Sequence, residues 1–255
     1  MNGDDGGGGY KMPNLSMGNV AIASSFFLID FIISFALNLK ITKPLIISAT
    51  RCLIQYGFIL EDLFRQRNPY YIASMTFILI LLTTVETVFN KADNSFHGIF
   101  LSVFLCTLFS IMLVGVLGIR FAINKVPLWS PEVFIPTIGL LLGLVVNAMA
   151  MSLNTLVTGL VNASGDRVEA LLAMGATRWE ATRTLTQESV RLAMLPSIQR
   201  MSIAGLIVIP GAMAGQIMGG SSVTNSLRYQ QIIFFMITAC SCLAVMSLVT
   251  VHPIR

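Results

Sequence analysis

Few side chains in this sequence could do covalent or metal chemistry, and their spacing argues against both. His97 and His252 stand alone at opposite ends of different apolar runs, with no thiol, imidazole or carboxylate beside them at metal-ligand spacing. Cys52, Cys106, Cys240 and Cys242 all fall inside apolar runs. The side chains of a Cys-x-Cys pair point about 200° apart around a helix, which suits packing better than ligation. Ser221 and Ser222 have no histidine placed to activate them. The sequence nowhere contains the Gly-Lys-Ser/Thr of a phosphate-cradling loop. The 14 methionines, Met213 among them, read as packing residues. The chain is therefore not expected to be an enzyme, and no metal or other cofactor is assigned to it.

The residues that could do mechanical work are concentrated in one polar stretch, about 162–198. It carries Arg167, Arg178, Arg183 and Arg191, with Arg200 just beyond, against Asp166, Glu169, Glu180 and Glu188. Asp166 to Met174 is compatible with a short helix, and Gly175 suits a left-handed helix end. Thr177 stands three residues before Glu180, the pattern of a capping box that starts a second helix. Leu171, Met174 and Trp179 give this helix–turn–helix an apolar side, and the charges give it a wet one. Such a unit lies along a lipid surface or docks into a groove on a soluble partner. The alternative is a loop that only connects its neighbours.

The elements that must carry this stretch follow from composition. The chain has 255 residues and 27.7 kDa, is 55% hydrophobic and 11% charged, and has a mean hydropathy of +0.79. A soluble domain carries about 25% charged residues, so an all-α polytopic membrane protein is expected. The formal charge of +4 makes no case for nucleic acid. A membrane span needs about 20 apolar residues. Seven runs qualify, at about 18–39, 44–63, 70–90, 97–119, 133–159, 200–219 and 229–251. Residues 1–17, with Asp4, Asp5 and a glycine run, read as a flexible tail rather than a signal peptide, leaving 18–255 as one transmembrane domain. With the polar stretch in the cytoplasm, ten basic residues fall inside and six outside, which puts the N-terminus on the non-cytoplasmic side and the C-terminus in the cytoplasm.

Inside the spans, three patterns stand out. Gly139, Gly143, Asn147, Ala150 and Asn154 share one face of the fifth run, a small and polar stripe expected in the bundle interior or at a subunit interface. In the sixth run Gly211, Gly215 and Gly219 recur every four residues, and Pro210 is expected to kink the helix. Tight packing explains the glycines; Asn147, Pro210, Gly211, Met213 and Gln216 are also candidates for a translocation path or hinge. Finally, Asp30 and Arg51 lie at similar depth if the first two runs are antiparallel, and are expected to pair or to share a polar cluster with Gln55. Glu86 falls near the end of the third run.

Glu169-Ala170, then Gly175, then Leu195-Pro196 resemble the EAA-type coupling segment of ABC transporter membrane subunits, although the Leu-Pro falls several residues late. A closer likeness is to the UPF0014 family. It is carried by Pro136, Gly139, Gly143 and Asn147-Ala148-Met149, then Arg167-Val168-Glu169-Ala170-Leu171-Leu172 and Gly175-Ala176. Beyond these come Gly205-Leu206, Pro210-Gly211, Met213, Gly215-Gln216, Gly219-Gly220 and Arg228-Tyr229-Gln230. The family includes the membrane subunit of a bacterial iron exporter and plant membrane proteins of aluminium tolerance. The resemblance implies a half-transporter without its own ATPase. It would work as a homodimer in the lipid bilayer with a separate ATPase subunit, which binds the ATP and magnesium. The coupling residues would be Arg167, Glu169, Ala170, Gly175, Ala176, Arg178, Trp179 and Glu180. By the plant branch the cargo is UDP-glucose or a related compound, in the plasma membrane or a vacuolar or vesicle membrane; by the bacterial branch it is iron. A self-sufficient carrier or channel is the alternative, but the inverted repeat it predicts is not evident between the first three and last three runs.

Overall fold

The computed structural model describes residues 17–37, 42–54, 68–91, 98–124, 127, 130–161, 163–205 and 209–251, and helices dominate them. The chain divides into two compact units, one of residues 1–66 with 216–221, the other of residues 67–215 with 222–255.

In the first unit, α1 (Met17–Ser25) and α2 (Phe27–Ala36) follow one another through Phe26, which keeps helical angles of φ −63° and ψ −28°. α3 (Thr42–Ile54) follows, tied to α2 by a hydrogen bond of 2.9 Å between the hydroxyls of Ser34 and Thr42. The first expected span is thus two consecutive helices. The later part of the second expected span, with Gln55, lies outside the described residues.

The second unit is a helix bundle. α4 (Pro69–Val85) begins where the Asn68 side chain accepts the Tyr70 amide at 3.1 Å and Pro69 occupies the first turn, where its missing N–H costs nothing. It widens into a π-helical segment over Glu86–Lys91. α5 (Ile99–Ser110) starts after left-handed Gly98 and continues through π-helical segments Ile111–Val116 and Gly118–Ala122. α6 (Pro131–Val161) packs against α4, α5 and α10 (Val223–Val251), and also against α7 (Ala163–Ala173) and α8 (Arg178–Ile203). Val103, Ile119, Leu141, Met149, Ala244 and Leu248 are among the fully buried side chains.

Specific contacts set the directions of these helices. Thr107 on α5 meets Met149 on α6, and Gly115 faces Ile138, so α5 and α6 run antiparallel. The hydroxyls of Thr137 and Tyr229 meet at 3.2 Å near the starts of α6 and α10, which run parallel. α8 runs the other way. Its Leu185 lies on Gly159, the hydroxyls of Ser152 and Ser189 bond at 2.7 Å, and Ser189 also donates to the Ser152 carbonyl at 2.9 Å.

Among the described residues four helical stretches are long and apolar enough to cross a membrane, Pro69–Phe89, Ile99–Ala122, Pro131–Leu160 and Val223–Val251. These match the expected third, fourth, fifth and seventh runs. The sixth does not form as one helix over 200–219. α8 ends at Ile203, Gly205 is left-handed, and α9 (Gly211–Met218) is a separate helix of eight residues. Pro210 therefore kinks nothing. It stands immediately before α9 and its carbonyl accepts the Ala214 amide at 3.1 Å. Gly219 falls in the turn after that helix, so only Gly211 and Gly215 share its face.

Candidate functional site

The polar stretch folds as its local signals require. At the end of α7 the Ala176 amide bonds the Leu171 carbonyl and the Gly175 amide bonds the Leu172 carbonyl, both at 3.0 Å. With Gly175 at φ +90° this pair of bonds is a Schellman end, a conformation that favours glycine. Two residues on, the capping box closes. The Thr177 amide and hydroxyl donate to the Glu180 carboxylate at 2.9 and 2.7 Å, and the Glu180 amide donates to the Thr177 hydroxyl at 3.3 Å. Two helix ends are thus satisfied within a few residues of each other, which holds the turn rigidly with little help from the core.

What that turn presents is unusual for a connector. Met174 is 75% exposed and Trp179 46% exposed, with Leu172 also exposed. Arg167, Glu169, Ala170, Gly175, Arg178 and Glu180 are exposed around them, and Ala176 is half-buried. An apolar tip ringed by charges of both signs suits a docking element better than a plain connection.

The Thr177 hydroxyl and backbone amide hold the Glu180 carboxyl below its ordinary value of 4.5. A lowered folded pKa means that the box is fully stabilising above the unfolded value and is lost as pH falls through the folded one. The start of α8 should therefore fray only below pH 4.5. The protection of the amides across residues 178–182, relative to the intrinsic exchange rate at each pH, should fall there, and Thr177→Ala should remove that pH dependence. Loss of wild-type protection well above pH 4.5 would contradict the carboxylate's role.

The other expected site residues are not drawn into one constellation. Gly139, Gly143 and Asn147 are exposed on α6 rather than enclosed in the bundle, whereas Ala150 is buried and Asn154 half-buried. The Asn147 side chain donates to the Gly143 carbonyl at 3.2 Å. Among the described residues of the second unit, the first three members of this stripe are left uncovered. Pro210 and Gln216 are half-buried, Met213 is buried and Gly211 is exposed. Asp30, in the first turn of α2, and Arg51, in the last turn of α3, are both exposed. Among the described residues no group of three His, Cys, Asp or Glu side chains could hold a metal ion.

A helical bundle with four such apolar helices, in a chain this hydrophobic, defines an integral membrane protein. The comparison with known families makes this specific. The model of the uncharacterised protein family UPF0014 matches residues 17–253, and the chain belongs to that family. It is 27% identical to the UPF0014 membrane protein YjkA of Bacillus subtilis, over 92% of this chain and 96% of that protein. It is 24% identical to the probable iron export permease protein FetB of Escherichia coli, over 91% and 88%. It is 26% identical to protein ALUMINUM SENSITIVE 3 of Arabidopsis thaliana, over 87% and 80%. No solved structure matches the chain.

Proposed function

We propose that this chain is the membrane-spanning permease subunit of an ABC transporter and is driven by a separate ATPase subunit. The observation that carries this reading is the rigid, exposed turn between α7 and α8, with Met174 and Trp179 at its tip. A sequence without a phosphate-cradling loop must take its energy from elsewhere, and a stiff handle is what transmits a partner's motion to a bundle. The turn is cytoplasmic in this reading, with the N-terminus outside and the C-terminus inside. The chain crosses seven times, through α1–α2, α3, α4, α5, α6, α8 with α9, and α10. The exposed Gly139–Gly143–Asn147 face of α6 allows a second copy to approach closely, which favours a homodimer.

The cargo in this reading is UDP-glucose or a related compound, moved across the plasma membrane or a vacuolar or vesicle membrane in connection with aluminium tolerance. The name of the Arabidopsis relative supports that setting. The name of the Escherichia coli relative favours a second reading, a subunit of an iron exporter. Proteoliposomes with and without candidate ATPase subunits decide. ATP-dependent uptake only with the partner is the expected result. Gradient-driven transport by this chain alone would instead make it a self-sufficient carrier.

A further inference from the structure

α6 and α10 run parallel, so between Val161 and Val223 the chain must return across the bundle. α8 makes that return, despite its charges. Its Ser189 is level with Ser152, and its Met201 receives the Thr238 hydroxyl at 3.3 Å, close to the middle of α10. Twelve residues of helix between those two contacts carry α8 about 18 Å into the bundle. Arg200, beside Met201, thus lies within the roughly 30 Å hydrocarbon thickness that α10 spans.

Arg200 is also on the side of α8 that faces its neighbours. Ser189, Ala193 and Ser197 are buried on one stripe, and Arg200, three residues beyond Ser197, lies at nearly the same angle around the helix as Ser189. Yet Arg200 is exposed and makes no ion pair among the described residues. The helix stops there. The Ala204 amide closes the last turn on the Arg200 carbonyl at 3.0 Å, Ala204 is extended, and Gly205 takes φ +85°. Irregular backbone at this depth is tolerated only against protein or a water-filled cavity, and a permanently charged side chain there needs a counter-charge. Broken helices at mid-depth are where transporters bind their cargo.

We infer that Arg200 binds the cargo in transit and that the cargo crosses as an anion, bearing a phosphate or carboxylate that the guanidinium can grip through two parallel hydrogen bonds. This rests on the permease reading, but not on the ATPase partner. A bare metal cation would be repelled at the same point.

The test is equilibrium binding to the purified full-length chain in lipid nanodiscs, with UDP-glucose as the anionic probe, glucose as the neutral one and Fe²⁺ as the cation. UDP-glucose should bind and weaken with rising salt, and glucose and Fe²⁺ should not compete. R200Q should weaken binding about tenfold or more with its melting temperature unchanged, while R200K, which keeps the charge but loses the paired hydrogen bonds, should fall between R200Q and the wild type. If R200Q does not insert, the salt dependence and the R200K result decide alone. Unaltered binding by R200Q, binding of Fe²⁺ in place of UDP-glucose, or no binding of the anion would overturn the inference. No ATP is present, so failure of the ATPase partnership leaves a positive result standing.

Discussion

Gly175→Pro should abolish ATP-driven uptake while the protein still inserts and its apolar helices still pack. Proline fixes φ near −65°, and Gly175 sits at +90°, so the substitution cannot be accommodated without rebuilding the turn. It also deletes the amide that bonds the Leu172 carbonyl at 3.0 Å. The local cost is about 3 kcal/mol or more, against about 1–2 kcal/mol for a left-handed alanine at the same place. Gly175→Ala should therefore weaken coupling without eliminating it. The damage stays local because α7 and the start of α8 are mostly exposed, whereas the buried side chains belong chiefly to α4, α5, α6 and α10. Glu169→Ala tests the same handle without touching the backbone, since Glu169 is exposed. It too should abolish ATP coupling. The readout is uptake into proteoliposomes with the ATPase subunit, beside a fractionation that reports insertion. Normal transport by both Gly175→Pro and Glu169→Ala would remove this turn from the coupling role.

The second large effect is expected at Gly165, in the first turn of α7. A methyl group there would overlap the backbone carbonyl of Leu160 at the end of α6. Backbone cannot swing aside as a flexible side chain can, so the α6–α7 junction has to open. A cost of about 2–3 kcal/mol is expected for Gly165→Ala, toward the upper part of the usual range for single substitutions. Two companions calibrate it. At Gly159 a methyl meets only the Leu185 side chain, which can shift, so Gly159→Ala should be milder. At Gly139 nothing lies within 4 Å, so Gly139→Ala should stabilise the monomer slightly, by about 0.5–1 kcal/mol of helix propensity. Thermal melting of the three variants in one detergent should rank them in that order. A Gly165→Ala variant that melts with the wild type would show that the junction is not as close as described.

Much of the local structure was legible because its causes are local. Gly175 and the Thr177–Glu180 pair act within five residues of chain, so their spacing alone specifies the turn. The four most apolar helices were equally plain, since about 20 uninterrupted apolar residues leave few other solutions. The sixth run misled for a physical reason. Residues 200–219 are apolar on average, but Gly205, Pro210 and the glycines beyond it favour turns and helix ends, and the chain breaks there. The helix starting at Thr177 was expected, but its packing into the bundle as α8 was missed for the converse reason. It buries Ala181, Ser189, Ala193 and Ser197, small side chains that gain contact by letting backbones approach rather than by apolarity, and hydropathy does not register them.

From the residues alone came the membrane class, the absence of a phosphate-cradling loop and the capped turn, because composition and short-range hydrogen bonding determine them without reference to distant parts of the chain. Only the tertiary structure decided that the polar stretch runs back along α6 and α10, that Arg200 is carried to the middle of α10, and that Gly139 and Gly143 face outward. Those depend on register between helices far apart in sequence, set by contacts such as Ser152 with Ser189 and Thr238 with Met201, which no local pattern encodes.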